Sequence, residues 1–347
     1  MMAENSKIEW TDHTFNPWMG CTKVSDGCKF CYAERDMDHR YHKVKWGPQG
    51  KRVRTAVNYW KQPSKWNKTL FVQCDVCGLR QVLNEHGRCP GCEHPMVATM
   101  KPVRQRVFCA SLADVFELKE DQIEEMDQWR SDFWKLIEQT PNLDWLLLTK
   151  RPENIETMIP DEWFGFRTMP KNIWWGFSAE NQKEFDARVP IMESFSRRHF
   201  QCYFVSIEPM LGPIDIRDWL DEEDLGDEDA SMWSSPIDWV ICGGESGPNA
   251  RPMNPEWARS LRDQCQEAGI PFFFKQWGEW IPLKESQLDP GITFKGKPIR
   301  MGDDMLFRLG KYRAGRFGRY LDGQEWMEFP APTPALPQIS DNERRSI

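Results

Sequence analysis

The segment CYFVSIEP, from Cys202 to Pro209, decides the fold because a continuous apolar run in it ends in an acid. Runs that stay apolar at successive positions are typical of strands buried on both faces, and hence of parallel sheets. The same pattern recurs in RVFCASLADVF from Arg106, DWLLLTK from Asp144, IWWGFSAEN from Ile173, DWVICGGESG from Asp238 and PFFFKQWGEW from Pro271. The sequence therefore predicts a parallel sheet.

Two of the stretches between these runs carry helix patterns. DQIEEMDQWRSDFWKLIEQT, from Asp121, has apolar residues at helical spacing, and NPEWARSLRDQCQEAG begins at the capping residue Asn254 and ends at Gly269. HTFNPW, from His13, adds a candidate first strand. This alternation predicts an α/β fold, a full or partial (β/α) barrel, with a doubly wound open sheet as the alternative.

Polar residues follow the predicted strands at their carboxyl ends, where barrels bind their ligands. We therefore expect a site at this edge of the sheet. Its candidate residues are Ser111, Asp114, Ser178, Glu180, Asn181, Glu208, Gly243, Gly244 and Glu245.

The chain has 347 residues, a net charge of -8, 18 tryptophans and 11 cysteines. It has no long apolar window and no apolar leader, so we expect a cytoplasmic protein without a membrane association. Clustered cysteines in a reducing compartment indicate metal ligands. The predicted organisation is 1–69 for the first part of the barrel, 70–100 for an insertion, 101–282 for the rest of the barrel, 283–329 for a basic-aromatic extension and 330–347 for a disordered tail.

The insertion contains CDVCGLRQVLNEHGRCPGC, which places Cys74, Cys77, Cys89 and Cys92 in two Cys-x2-Cys pairs. Four thiolates at this spacing complete a closed tetrahedron around Zn2+, as in a zinc ribbon. A closed site has no open position for a substrate, so we predict a structural zinc ion here.

A second group, MGCTKVSDGCKFCYAE, places Cys21, Cys28 and Cys31 on a short loop without a nearby fourth cysteine. Zinc is one alternative, with His39 or His42 as the fourth ligand. An iron-sulfur cluster is the other, and three cysteines would leave one iron open for a ligand. An open coordination position likewise distinguishes catalytic zinc sites from structural ones, in which protein ligands fill all four positions.

Three cysteines after a first barrel strand, with Phe30 before the third, resemble the radical S-adenosylmethionine (radical SAM) superfamily, in which the usual spacing is Cys-x3-Cys-x2-Cys. Here three further residues separate the first two cysteines. The blocks WTDHTFNPWMGCTKVSDGCKFCYAE, FCASLADVFE, LLLTKRPEN, GFSAENQ, SIEPMLGPID, CGGESGPNARP and FFFKQWGEW look like those of the phage-associated three-Cys-motif family. The resemblance covers nearly the whole chain to about Pro330, apart from the insertion.

The resemblance implies a barrel of the radical SAM type, in which Cys21, Cys28 and Cys31 bind a [4Fe-4S] cluster and S-adenosylmethionine binds the fourth iron. Ser111 and Asp114 stand where the family binds the methionine amino group, and Ser178, Glu180 and Asn181 where it binds the ribose. Glu208 and Glu245 would face the substrate or the sulfonium end of S-adenosylmethionine. Gly243 and Gly244 either form a tight turn or bind the cofactor, and Cys242 is either a core residue or a hydrogen-atom donor. An electron donor such as flavodoxin or ferredoxin is implied as a partner.

Two basic stretches with aromatic residues, Lys43–Arg54 and Arg308–Tyr320, suit contacts to phosphates and bases. They favour nucleic acid or a nucleotide as the substrate, with a partner protein that presents it as a further expectation. A peptide or small metabolite is an alternative substrate. A zinc-stabilised nucleic-acid-binding protein without enzymatic activity is the alternative function.

Overall fold

The structure is a computed structural model. It describes residue 6 and residues 8–83, 88–95, 99–164, 168–196, 202–219, 237–283, 293–309 and 318–336. The acidic stretch from Asp221, most of the basic stretch Arg308–Tyr320, and the end of the tail lie outside the described residues.

Seven parallel strands form the central sheet, and they lie in it in the order in which they occur in the chain. A sheet without a reversal of strand order is typical of a barrel and excludes the doubly wound alternative. The strands are β1 (His13–Thr14), β2 (Gln105–Cys109), β3 (Leu143–Thr149), β4 (Ile173–Ser178), β5 (Cys202–Ile207), β6 (Trp239–Gly243) and β7 (Phe272–Gln276).

The sheet curls into a partial barrel. The ring of Trp10, just before β1, lies 6.2 Å from the ring of Trp239 at the start of β6. Five strand spacings would separate these two positions by about 24 Å in a flat sheet. Within the described residues β1 and β7 do not pair with each other, so the predicted barrel is the partial form.

Side chains alternate between the inside of the curl and its outer face, as the strand period requires. The inside is filled mainly by large rings, and the outer face packs against the helices in a larger core. The inner set consists of Trp10, Phe108, Leu146, Trp174, Phe204, Trp239, Ile241 and Phe273. Twelve tryptophans of the described residues are buried, so most of the tryptophan content serves packing.

Three long helices connect strands: α1 (Ile123–Glu138), α2 (Gln182–Ser196) and α3 (Pro255–Glu267). The predicted Asn254 cap is confirmed, because its side-chain oxygen accepts from the N–H of Glu256 at 3.1 Å. Gly269 closes α3 with a φ of +68°, a conformation that favours glycine. None of the described helices is both long and apolar enough to cross a membrane.

Smaller elements surround the sheet. Short helical segments are Asp26–Cys28, Tyr32–Glu34, the π-helical Arg35–Arg40, Val57–Trp60, Gln62–Lys68, Glu120–Gln122, Pro152–Asn154, Ile155–Met158, Asp161–Phe164 and Arg217–Trp219. Trp18–Met19 pairs with Val53–Arg54, and in the insertion Phe71–Cys74 pairs with Arg80–Val82 and Met100–Pro102. Towards the carboxyl terminus, strands Trp280–Pro282, Ile299–Met301 and Asp304–Arg308 form one sheet, and Tyr320–Leu321 pairs with Gln324–Glu325.

The proposed boundaries between these regions stay predictions. The first residues of the predicted tail, 330–336, are described and lie at the amino-terminal ends of β2 and β3, where the carbonyl of Thr333 accepts from the N–H of Arg104 at 3.0 Å. We refer to Met327–Leu336 as the C-terminal strap.

Candidate functional site

The loop from Gly20 to Cys31, the three-cysteine loop, lies over the carboxyl-terminal edge of the sheet, which we call the mouth. The N–H of Gly20 donates to the carbonyl of Leu112 at 3.0 Å, just beyond β2. After the loop, the Tyr32 hydroxyl donates to the carbonyl of Ser111 at 2.9 Å. The loop therefore lies where the strand-end residues were expected to form a site.

Arg151 contacts the first cysteine. One guanidinium nitrogen lies 3.6 Å from the Cys21 sulfur and 2.9 Å from a carboxylate oxygen of Asp114, and the other donates to the Thr22 carbonyl at 2.6 Å. Burial raises the pKa of Cys21, and the Arg151 charge opposes that shift. Sequence reasoning missed Arg151, although it directly follows the strand-end residue Lys150.

Asp114 supports this arrangement and has little capacity left for a ligand. Its Oδ1 accepts from the Thr149 hydroxyl at 2.8 Å and from the N–H of Phe116 at 3.0 Å. Its Oδ2 accepts from Arg151 and from the N–H of Lys150 at 3.1 Å. The geometry favours a positioning role for Asp114 over direct contact with a methionine amino group.

Glu180 binds the segment that separates the first two cysteines. Its Oε1 accepts from the N–H of Gly27 at 2.7 Å, and Arg188 lies 3.5 Å from its Oε2. Burial raises the pKa of Glu180, but the Lys150 charge and the hydrogen bond from the Gly27 N–H help to outweigh that effect and lower it overall. A Cβ on Gly27 would lie 3.0 Å from the Glu180 carboxyl carbon, so glycine suits this close approach. The turn just before Cys28 is thus held by a residue two positions beyond the end of β4.

Glu245 and Arg251 contact the loop from the other side. Arg251 binds the Glu245 carboxylate through Nε at 2.8 Å and Nη2 at 2.6 Å. The same Nη2 donates to the carbonyl of Asp26 at 3.0 Å, and the guanidinium lies 5.2 Å from the Phe30 ring centre. A bidentate pair of this kind fixes geometry, so Glu245 positions Arg251 against the loop.

Glu208 is the acid that faces the inside of the mouth. Lys275 lies 2.8 Å from its Oε1, and the Ser206 hydroxyl donates to its Oε2 at 3.3 Å. A Cβ on Gly243 would come within 2.8 Å of the Glu208 carboxylate, so glycine makes room for this acid. Each predicted acid at the mouth therefore has a basic partner from another position.

Several predicted residues have structural contacts in this arrangement. Asn181 caps α2 by accepting from the N–H of Glu184 at 3.1 Å. The N–H of Gly244 donates to the carbonyl of Gln276 at 2.8 Å, which favours the turn interpretation of the two glycines. The Ser111 hydroxyl pairs with the Asn16 side chain, and Ser178 is buried.

Cys242 lies on the outer face of β6 and not in the mouth. It is fully buried in the core between sheet and helices, and its sulfur lies 3.7 Å from the Met210 sulfur. Burial raises its pKa well above the ordinary value. The core interpretation is favoured over the hydrogen-atom donor, because the sheet separates this sulfur from the mouth.

The four cysteines of the insertion have the geometry of ligands to one ion. Their sulfur atoms all lie within 4.8 Å of one another, with Cys74 3.7 Å from Cys92 and Cys77 3.6 Å from Cys89. Four sulfurs at about 2.3 Å from one tetrahedral ion lie about 3.8 Å apart. This group could hold a metal ion such as zinc.

The three cysteines of the loop differ from that arrangement. Among the described residues they do not form a group whose sulfurs all lie within 4.8 Å. In an iron-sulfur cluster each cysteine binds a different iron, so the sulfurs lie farther apart than around one shared ion. Cys21 and Cys31 pack against an apolar cluster of Ala33, Met37, Val44, Trp46 and Leu112. The donor set and its apolar surroundings suit either of the expected centres, an iron-sulfur cluster or a zinc ion with a further ligand.

Lys150 has an ionic partner at the mouth but no hydrogen bond among the described residues. Its Nζ is buried without a hydrogen-bond partner, and it lies 3.8 Å from Glu180 Oε2. A buried ammonium group without a hydrogen bond is costly, and a ligand carboxylate would satisfy it.

The basic stretch Lys43–Arg54, expected to contact phosphates and bases, is only partly exposed. Arg52 is buried and binds the Glu117 carboxylate at 2.6 Å, and Trp46 belongs to the apolar cluster. Arg52 and Trp46 support the three-cysteine loop on its buried side. Lys43, Lys45 and Lys51, by contrast, are exposed. Only part of this stretch is available to a nucleic acid.

A family model described as a protein of unknown function, DUF5131, matches residues 5–330. The chain belongs to the DUF5131 family. The match includes both cysteine groups and all seven strands of the sheet in this DUF5131 chain. Neither the curated proteins nor the solved structures contain a significant match to it.

Proposed function

We propose that this DUF5131 protein is a radical SAM enzyme of the three-Cys-motif type. The observation that carries the proposal is the position of the three-cysteine loop, which lies over the mouth of a sequentially ordered parallel partial barrel. Barrels bind their ligands at this edge, and three thiolates suit a cluster that keeps one iron open.

Cys21, Cys28 and Cys31 would hold the [4Fe-4S] cluster, and a cluster of this kind supplies reductive cleavage of S-adenosylmethionine to a 5'-deoxyadenosyl radical. Arg151 would keep a positive charge beside the Cys21 sulfur. The apolar side chains behind Cys21 and Cys31 would exclude water from the site.

Lys150 and Glu208 are the mouth residues that suit direct contact with a ligand. The unsatisfied ammonium group of Lys150 suits the methionine carboxylate. Glu208 keeps part of its side chain accessible and, with Lys275, suits contact with the substrate. Ser178 lies on the face of β4 that points inside the curl, and it remains a candidate for binding the ribose.

We propose nucleic acid or a nucleotide as the substrate class. Three exposed lysines, Lys43, Lys45 and Lys51, lie on the segment that follows the three-cysteine loop, and this supports contact with phosphates. A flavodoxin-like or ferredoxin-like protein would supply the electron. In the insertion we propose a zinc ribbon with a structural Zn2+ ion.

The alternative is a zinc protein without enzymatic activity, which the four-cysteine group by itself would also suit. Production of 5'-deoxyadenosine from S-adenosylmethionine, with a chemical reductant and protein purified without oxygen, distinguishes the two. We expect product from the unaltered protein, none from Cys28→Ala, and normal amounts from Cys265→Ala, which alters a buried cysteine of α3. Equal product from both variants would overturn the ligand assignment, and no product from the unaltered protein would favour the alternative.

A further inference from the structure

We call the end of the barrel opposite the mouth the floor. A cavity of about 480 Å3 lies there. Its walls come from the segment before β1, the start of β2, the C-terminal strap and the two turns of the four-cysteine insertion. The residues that matter are Trp10, Asp12, Leu79, Arg80, Arg106 and Phe329.

Arg106 is the cation of this cavity that has no anionic partner. Arg106 is only 3% exposed, yet its guanidinium makes no hydrogen bond or ion pair within the described structure. The neighbouring arginines are paired: Arg80 with Asp12 at 2.8 Å, and Arg104 with Asp144 at 3.4 Å. Glu9, the other acid of the lining, pairs with Arg319. Arg106 is thus the one arginine of this group without an ion pair in the described structure, and a buried charge without a pair is costly.

Two aromatic rings lie beside the Arg106 guanidinium. The guanidinium carbon lies 4.3 Å from the Phe329 ring centre and 5.5 Å from the Trp174 ring centre. These rings offer no conventional acceptor atom, so their contacts do not occupy the N–H donors of the guanidinium. Burial, and then the nearby Arg80 charge, lower the pKa of Arg106 to about 9 against the opposing charges of Asp12 and Asp144, and a bound anion would raise it.

We propose that the floor cavity is a binding site for a phosphate group, with Arg106 as the residue that recognises it. A guanidinium binds phosphate through two parallel hydrogen bonds, which suits a planar donor set without a partner. The cavity has room for more than inorganic phosphate and includes apolar walls at Leu79 and Phe329. Its size lies within the usual range for small-molecule sites. A phosphate ester of nucleotide size therefore fits this cavity.

This site is separate from the cysteine loop, and it does not rest on the proposed reaction. The turns that carry Cys77 and Gly91 form one wall, so the four-cysteine insertion has a role in shaping it. A Cβ on Gly91 would lie 3.0 Å from the Cys77 sulfur, which keeps the two turns close together.

Isothermal titration of the metal-loaded full chain at constant ionic strength tests the proposal. The probes are inorganic phosphate, 5'-AMP, adenosine and a short single-stranded DNA. We expect 5'-AMP to bind and adenosine to bind at least about tenfold more weakly. Binding of inorganic phosphate or 5'-AMP without DNA would identify a free ligand, and binding of DNA through Arg106 would identify a nucleic-acid phosphate.

Arg106→Met should weaken phosphate and 5'-AMP binding at least about tenfold. Its unliganded melting temperature should equal or exceed that of the unaltered chain, because an unpaired buried charge is removed. Lys101→Met is the matched control, since this lysine of the insertion is 72% exposed and pairs with Asp75. Equal affinities in Arg106→Met and the unaltered chain, or no binding of any phosphate probe, would overturn the proposal.

Discussion

At the residue scale, Glu180 connects the barrel to the three-cysteine loop. Glu180→Ala leaves the Gly27 N–H, Lys150 and Arg188 without their shared carboxylate. Removing one partner of a buried ion pair typically costs about 3–5 kcal/mol. We expect a loss of this size in the free energy of unfolding, measured with urea, together with a lower iron content.

Glu184→Ala is the matched control for Glu180, because Glu184 pairs with the same Arg188 at 2.6 Å but does not contact the loop. Its effect on iron content should be small. Equal losses of iron in the two variants would contradict the role of Glu180 in holding the loop.

Arg151 offers a second test at this scale. Hydrogen bonds and positive charge near a cluster sulfur favour the reduced cluster, so removal of Arg151 should make its reduction potential more negative. Arg151→Lys keeps the charge and should shift the potential less than Arg151→Met. The measurement is a redox titration followed by electron paramagnetic resonance, with Lys29→Met, an exposed cation of the same loop, as control. An unchanged potential in Arg151→Met would contradict this assignment.

The acids of the mouth were predictable, because they follow apolar strands within a few residues. Their basic partners were not, since Arg151, Arg188 and Lys275 meet these acids only after the sheet has formed. Sequence spacing also could not show that Cys242 points to the outer face, because a one-residue shift in register reverses the two faces.

At the element scale, the four-cysteine insertion should bind its metal independently of the three-cysteine loop. Cys77→Ser removes one of four ligands whose sulfurs lie close together. We expect the loss of about one zinc ion per chain, measured by mass spectrometry, with the iron content unchanged. Cys265→Ala serves as the control, and a loss of iron together with zinc would show that the two sites are coupled.

The C-terminal strap closes the floor. Phe329 lies 5.3 Å from the Trp239 ring and 5.2 Å from the Phe273 ring. Phe329→Ala should reduce the free energy of unfolding by about 2–4 kcal/mol, because it leaves a cavity among large rings. Met327→Ala, which alters a side chain that is 42% exposed, should cost less than about 1 kcal/mol. Similar urea midpoints for both variants would contradict the packing role.

The strands and the long helices could be predicted, because uninterrupted apolar runs and capping residues such as Asn254 are local signals. The burial of Arg52 within the basic stretch Lys43–Arg54 could not be predicted. Composition suggested a basic surface, but Arg52 turns inward to bind Glu117, a contact across a long stretch of chain. Local sequence cannot tell which side of a loop meets the core.

At the scale of the whole molecule, the two ends of the barrel have different chemistry. The mouth combines three cysteines with paired acids and bases, whereas the floor holds Arg106 beside aromatic rings. Large rings fill the inside between the two ends. The apolar runs in the sequence indicated a parallel sheet. They could not show that β1 and β7 stay unpaired, because closure of a barrel depends on how far its sheet curls.

The metal content of the full chain, purified without oxygen, tests the central claim most directly. The account predicts about four irons with matching sulfide and about one zinc per chain. Cys21→Ser, Cys28→Ser or Cys31→Ser should each remove the iron and leave the zinc. Two zinc ions per chain and no iron would contradict the account.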